Sequence, residues 1–277
     1  MDIEQLRLVI ERALKEDIDQ GDVTSMWTLP PNAIARGRVI ARDAGAVAGI
    51  AVAREVFRRV NALIAFTPLV SDGADVFVEE ELAAVVGPAT SVFTAERTVL
   101  NFLERMSGIA TLTRHYVDAV KGTSAVILGT RKTAPGLRMV DQWAVQVGGG
   151  GTQRERLDDV ALIRRGHVAI AGGLTAAMEG VRRADSGLQA IVEVRTWEQL
   201  DEALLLEPDR IMLAGMSVEE LADTVRRTAG RVPLEAAGDI ALKDVLRVAH
   251  TGVDYISVEG LIQQARPLRM DLDIDAA

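Results

Sequence analysis

Residues 190–215 have the sequence AIVEVRTWEQLDEALLLEPDRIMLAG, which contains a strand pattern, a helix pattern and a second strand pattern. The mainly apolar runs at 190–194 and 210–213 have the length of buried strands, and the leucines between them recur at helical spacing. Strands that alternate with helices along a chain form parallel sheets. This stretch therefore predicts an α/β fold.

The same alternation extends through the second half of the chain, after Gly122. Helical patterns at 198–206, 218–228 and 242–249 separate the later strands. The predicted strands lie at residues 125–129, 160–163, 190–194, 210–213, 232–234 and 255–258. This repeat fits an α/β barrel, although a doubly wound open sheet would give a similar periodicity, and the pattern alone does not decide between them.

The first 120 residues follow a different pattern, which sets them apart from this repeat. A helix is predicted at 3–16, and a long helix or helix pair at 96–120 is interrupted near Ser107-Gly108. The patterns between them predict a turn at 21–25, a strand–turn–strand at 36–48, a helix at 51–63 and a second β region at 72–89.

The composition excludes several classes of function. A formal net charge of -9 argues against a general nucleic-acid binder, which needs a broad basic face. The absence of cysteine excludes disulfides, thiolate nucleophiles and cysteine-ligated metals. The amino terminus lacks a signal-peptide pattern, and the apolar run at 46–53 is too short to cross a bilayer. We therefore expect a soluble, cytoplasmic protein that does not bind membranes.

Cations collect in one segment of this acidic chain. Residues 131–165 contain seven lysines and arginines against four acids, and they include the glycine run 148–151. Cations beside glycine-rich backbone suit a small, highly charged anion such as a phosphorylated sugar or a polycarboxylate. A solvated basic surface is the alternative interpretation.

The ends of the predicted strands also carry polar residues, and in α/β barrels the active site lies at the carboxyl ends of the strands. The residues at these ends are Thr130-Arg131-Lys132, Arg164 to His167, Glu193 and Arg195, Ala214-Gly215, 235–238 and Glu259-Gly260. This mixture of cations, acids and glycines predicts a pocket for a phosphorylated ligand. Glu193 would be costly to bury in the barrel without a cation or a metal beside it.

Five short motifs then occur in order along the chain. They are ERT at 96–98, SGIAT at 107–111, GTRKT at 129–133, PGLR at 135–138 and GGG at 148–150. This series resembles the quinolinate phosphoribosyltransferase family over nearly the whole chain. The resemblance implies an N-terminal α/β sandwich domain at 1–112, rejoined by about 266–277. It places an incomplete six-stranded α/β barrel with the active site at 113–265.

The resemblance also implies a reaction and an assembly. Members of the family join quinolinate to phosphoribosyl pyrophosphate with Mg²⁺, and they release pyrophosphate and carbon dioxide to give nicotinate mononucleotide. The substrates would be small anions. The chain would form a homodimer in which Arg97 acts across the interface on the site of the neighbouring subunit.

Carried over by position, the resemblance assigns roles to individual residues. The catalytic residues would be Lys132, Glu193 and Arg164. The substrate-binding residues would be Arg97, Thr130, Arg131, Arg138, Arg154 and His167. A loop containing Glu235, Ala236, Ala237 and Gly238 would bind the 5-phosphate, together with Gly260. Glu193 would also be a weak ligand of Mg²⁺.

Several positions depart from the family pattern. Thr152-Gln153 replaces Asn-His, Arg164-Arg165-Gly166 replaces Lys-x-Asn, Ala214-Gly215 replaces Asp-Asn, Ala236-Ala237 replaces a serine pair, and Arg195 and Glu259 replace aspartate and glycine. The carboxylate lost at Ala214 weakens the expected hold on Mg²⁺. The departures leave two alternatives open: a paralogue with another acceptor or donor, and a catalytically silent anion-binding member. A related family, associated with molybdenum transport operons, fits less well because residues 135–138 follow the quinolinate pattern.

Overall fold

The computed structural model describes residues 2–276, which form two compact units. The first contains the described residues of 1–114, 133–149 and 264–277, and the second contains residues 115–132 and 150–263. The sequence placed residues 133–149 in the barrel domain, whereas by their contacts they belong to the first unit. Among the described helices, none combines the length with the apolar character that a membrane span requires.

The helices are α1 Ile3–Ile18, α2 Val23–Thr28, α3 Ile50–Val60, α4 Ala89–Ala119, α5 Arg138–Val147, α6 Arg165–Ala171, α7 Leu174–Arg183, α8 Trp197–Leu206, α9 Val218–Thr228, α10 Val245–Ala249 and α11 Gly260–Gln263. The strands are β1 Ile34–Ala41, β2 Gly45–Ala46, β3 Ala65–Pro68, β4 Asp75–Val76, β5 Glu81–Pro88, β6 Val126–Gly129, β7 Gly151–Thr152, β8 Val160–Ile163, β9 Gln189–Val194, β10 Arg210–Ala214, β11 Leu234–Gly238, β12 Tyr255–Val258 and β13 Met270–Ala276.

The first unit is built on an antiparallel sheet with the strand order β13-β1-β5-β3. The predicted strand–turn–strand at 36–48 is present as β1, a bend and the two-residue β2. The two strands do not pair with each other, because β1 pairs with β5 and β13 while β2 pairs with β4. The predicted turn at 21–25 contains the start of α2, because the Asp22 carboxylate accepts the Ser25 backbone N–H at 3.0 Å and caps the helix.

Helix α4 is continuous through Ser107 and Gly108, where the sequence predicted an interruption. A Cβ at Gly108 would collide with the carbonyl oxygen of Arg266, so glycine lets the C-terminal segment pass against the helix. The Ser107 hydroxyl accepts the backbone N–H of Ala48 at 2.9 Å. Both residues therefore serve close packing around the helix and do not break it.

The second unit contains one sheet with the strand order β7-β6-β12-β11-β10-β9-β8, in which all neighbouring strands are parallel. The predicted α/β class with an incomplete barrel is confirmed. The two-residue strand β7 adds a seventh strand at the edge next to β6. Leu162, Ile191 and Met212, from three adjacent strands, form a buried core on one face of the sheet. The carboxyl ends of the strands therefore lie along one edge.

Candidate active site

The register of the sheet determines which side chains lie next to one another. Met212 is level with Glu193 on one side and with Glu235 on the other. Partners in a parallel register point to the same face, so these side chains share the face that carries the buried core. Ser257 is level with Ala237 and shares that face because it lies two residues beyond Tyr255, the partner of Glu235.

Arg131, Arg154 and Arg164 form a cluster of guanidinium groups. Burial lowers the pKa of the Arg154 guanidinium, and repulsion from Arg131 and Arg164 lowers it further, while Asp159 opposes the shift. The loop that carries Arg154 is held to the end of β6, since the Gln153 backbone N–H donates to the Gly129 carbonyl at 3.0 Å. An anion bound at this cluster would relieve the repulsion, so the arrangement favours an anion-binding site.

Lys132 lies beside this cluster in the chain and forms an ion pair with Glu259, which follows β12. Its backbone N–H donates to the Thr130 hydroxyl at 3.3 Å. Both charged side chains of the pair are close to half exposed. An anion that binds the ammonium group of Lys132 would therefore have to compete with Glu259.

Glu193 is almost fully buried and has the cationic partner that its burial requires. Its side chain is 8% exposed, and the Nε of Arg195 donates to its Oε1 at 2.7 Å. The expected cost of an uncompensated carboxylate is therefore avoided by a residue two positions along the same strand end.

Residues 235–238 belong to strand β11, so the prediction that they form a phosphate-binding loop is wrong in this respect. Glu235 is fully buried, and its Oε2 accepts a hydrogen bond from Arg210 at 3.0 Å. Its Oε1 accepts hydrogen bonds from the Gln153 amide and the Ser257 hydroxyl. Ala236 is buried, whereas Ala237 and Gly238 are partly exposed. Glu235 thus links Gln153, Arg210 and Ser257 through hydrogen bonds to one buried carboxylate.

His167 and Gly260 lie at the starts of two short helices. The Nδ1 of His167 accepts the backbone N–H of Arg164 at 3.0 Å, which leaves Nε2 as the other polar atom of the ring. This contact ties the imidazole to the segment that carries Arg164. Gly260 is buried at the first position of α11.

Two predicted substrate-binding residues belong to the first unit. Arg97 is exposed on α4, and its positive charge partly offsets the burial that raises the pKa of the Glu96 carboxyl. Arg138 starts α5, and its Nε donates to the Thr133 hydroxyl at 3.4 Å. The remaining predicted site residues all belong to the second unit.

The sequence did not assign roles to several residues that hold polar groups in place within each of the two units. Arg210 and Ser257 were missed, although their places on strands of the repeat were a usable signal. In the first unit, the buried Asp141 accepts two hydrogen bonds from Arg105, at 2.7 and 2.8 Å. It also accepts the Ala134 backbone N–H at 3.0 Å and so fixes the loop before α5.

Comparison with known proteins places this architecture in one family. Residues 22–107 match the N-terminal domain of quinolinate phosphoribosyl transferase, and residues 109–273 match its C-terminal domain. The chain is 41% identical over 274 residues to a nicotinate-nucleotide pyrophosphorylase (carboxylating) of Mycobacterium leprae, covering 97% of this chain and 96% of that protein. It is 39% identical over 290 residues to a chloroplastic protein of the same name from Oryza sativa, covering 98% and 78% respectively.

A solved structure gives the same result. The nicotinate-nucleotide pyrophosphorylase of Ehrlichia chaffeensis superposes with a TM-score of 0.94 at 33% identity, and the match covers 99% of each chain. The matches to both domains of the family and the structural superposition thus agree. The chain belongs to the quinolinate phosphoribosyl transferase family.

Proposed function

We propose that this chain is a phosphoribosyltransferase that joins quinolinate to phosphoribosyl pyrophosphate and yields nicotinate mononucleotide, carbon dioxide and pyrophosphate. The observation that carries the proposal is the guanidinium cluster of Arg131, Arg154 and Arg164 at the carboxyl edge of the sheet. The family match over both domains supports it.

The charge of the acceptor matches this cluster. Quinolinate carries two carboxylates on adjacent ring carbons, and a guanidinium holds a carboxylate through two parallel hydrogen bonds. Repulsion among the three arginines is relieved when a dianion enters. Binding therefore fixes the orientation of the ring as well as attracting it.

The reaction exchanges one bond at the anomeric carbon. The pyridine nitrogen forms a bond to that carbon, and the carbon–oxygen bond to pyrophosphate breaks with its electron pair on the leaving oxygen. The carboxylate next to the nitrogen then leaves as carbon dioxide, and the electron pair left on the ring takes up a proton. Glu193 offsets positive charge that develops on the sugar, while Lys132 and Arg164 offset the negative charge of the reacting groups.

The magnesium ion implied by the family stays a prediction. Ala214 offers no oxygen where the family has an aspartate, and Glu193 is bonded to Arg195. This donor set does not fit a protein-held divalent ion, which needs several oxygen ligands. The steps above therefore involve only residues of the chain.

The test follows pyrophosphate release by the wild-type chain and by Arg131→Ala, with quinolinate, phosphoribosyl pyrophosphate and Mg²⁺ present. Arg226→Ala is the matched control, because Arg226 is an exposed arginine of α9 paired with Asp223. We expect turnover by the wild type and the control, and its loss in Arg131→Ala. Absence of turnover in a folded wild type would contradict the proposal.

The homodimer belongs to the same proposal, with Arg97 supplied by one subunit to the site of its partner. The exposure of Arg97 supports this assignment. Inactive Arg97→Ala and Arg131→Ala chains are mixed, unfolded and refolded together. A mixed dimer has one site with both arginines intact, so about a quarter of wild-type activity should return. Activity that does not return would place Arg97 outside the neighbouring site.

A second candidate is a paralogue that takes another acid. The ion pair of Lys132 with Glu259 favours it, because it places a negative charge at the anion pocket. A panel of pyridine and aliphatic carboxylates in the same pyrophosphate assay separates the candidates. Greater kcat/KM for a monocarboxylate than for quinolinate would establish the second one.

A further inference from the structure

Arg195 places a fixed positive charge between the ends of two strands. Its Nε donates a hydrogen bond to the carboxylate of Glu193 near the end of β9. A Cβ built on Gly215 would lie 3.8 Å from its Nη1, so the guanidinium also reaches the segment that follows β10. The side chain is 50% exposed, so the group is open to a ligand.

The remaining hydrogen-bond donors of the Arg195 side chain are its Nη1 and Nη2 groups. Among residues 2–276 neither Nη1 nor Nη2 has a hydrogen-bond partner. The bond from Nε to Glu193 restrains the guanidinium, so less side-chain freedom is lost when an anion binds. Two parallel N–H donors match the geometry of two phosphate oxygens.

A divalent cation fits the same place poorly. In the described part of the chain, no group of three or more histidines, aspartates or glutamates could hold a metal ion. The carboxylate of Glu193 already has a cationic partner, and Ala214 adds no ligand. A divalent ion beside Glu193 would also be repelled by the guanidinium.

We propose that Arg195 binds the pyrophosphate group directly and takes the place of a divalent ion held by the protein. This inference rests on the proposed function, since it assigns a residue to the leaving group of that reaction. It makes pyrophosphate binding independent of added metal. In addition to its role toward the sugar, the carboxylate of Glu193 then also aims the guanidinium.

The experiment measures the affinity of inorganic pyrophosphate by titration calorimetry, in EDTA and in Mg²⁺. We expect wild-type Kd values within about threefold of each other in the two buffers. Arg195→Ala should bind at least about tenfold more weakly in EDTA, whereas Arg195→Lys, which keeps the charge, should lose less. The control Arg226→Ala, on an exposed ion pair of α9, should match the wild type.

A double variant should make pyrophosphate binding dependent on Mg²⁺. Arg195→Asp combined with Ala214→Asp surrounds Glu193 with carboxylates, and we expect pyrophosphate binding that fails in EDTA and returns with Mg²⁺. Wild-type binding that requires Mg²⁺, or an unchanged Kd for Arg195→Ala in EDTA, would overturn the inference. Quinolinate turnover together with either result would leave the proposed function standing. Metal-free binding through Arg195 without quinolinate turnover would overturn only the proposed function.

Discussion

Replacing Arg210 by methionine tests whether the buried Glu235 network determines the stability of the second unit. Glu235 is 0% exposed and accepts hydrogen bonds from Arg210, Gln153 and Ser257. Arg210→Met keeps most of the aliphatic stem and removes the charge that compensates the carboxylate. The guanidinium also stacks on Tyr255 at 3.9 Å, and that contact is lost as well.

The size of the effect follows from burial. Removal of one partner of a buried ion pair costs about 3–5 kcal/mol, because the other charge is left without compensation. Two neutral donors remain on Glu235, and Arg210 keeps some exposure to solvent, so we expect about 2–4 kcal/mol. Glu235→Gln alone should also destabilise, whereas the double variant should be more stable than the sum of the two losses predicts.

The free energy of unfolding is measured by urea denaturation, followed by circular dichroism and by tryptophan fluorescence. The double-mutant cycle isolates the coupling between the two residues. Arg226→Met is the control, since its ion pair is exposed and should contribute less than about 1 kcal/mol. A loss below about 1 kcal/mol for Arg210→Met would refute the reasoning.

Three further changes test other parts of the molecule. Asp141→Asn weakens the contact with Arg105 and the hydrogen bond from the Ala134 backbone N–H. We therefore expect the free energy of unfolding, measured by urea denaturation, to fall by about 2–4 kcal/mol. A variant as stable as the wild type would contradict this. Glu259→Gln should lower the KM for quinolinate several-fold with little change in stability, because its pair with Lys132 is about half exposed; an unchanged KM would argue against competition. The hydrogen bond from Arg58 holds the pKa of Glu55 at about 2, below its usual 4.5. A carboxyl whose pKa is lower in the folded state stabilises the fold at pH values above its unfolded-state pKa. The wild type should therefore be more stable than Glu55→Gln by roughly 1 kcal/mol at pH 7, and this difference should decrease as the pH falls from about 4.5 towards 2. A difference in stability that does not change with pH would exclude this linkage.

The sequence was sufficient for the repeat of the second unit because strand and helix patterns are local. It also located the strand ends that carry Arg131, Arg164 and Glu193. It misplaced β11, since Glu235 and the two alanines after it resemble a loop, although they form a strand between β10 and β12. The resemblance placed residues of about 266–277 with the N-terminal domain, but local patterns did not show that β13 pairs with β1, which joins residues more than 220 positions apart.

Contacts within the site were beyond sequence reasoning for a related physical reason. Gln153, Glu235 and Ser257 come from three separate stretches, and only the register of a parallel sheet brings them together. A pattern shows which face of a strand is buried, but it does not show which residue of the next strand lies opposite. The resemblance supplied positions for the functional residues, whereas their partners became visible only in the structure.

Those partners change the meaning of the departures from the family pattern. Gln153 donates to Glu235, Glu259 pairs with Lys132, and Arg195 pairs with Glu193. These three residues thus contact ones that the family pattern retains, whereas the buried hydroxyl of Thr152, another departure, has no hydrogen-bond partner among the described residues. Each of the three contacts satisfies a polar or charged group that would otherwise cost stability where it is buried. The departures are therefore consistent with an anion site whose charges have been rearranged, and restoration of a single family residue should disturb its retained partner as well.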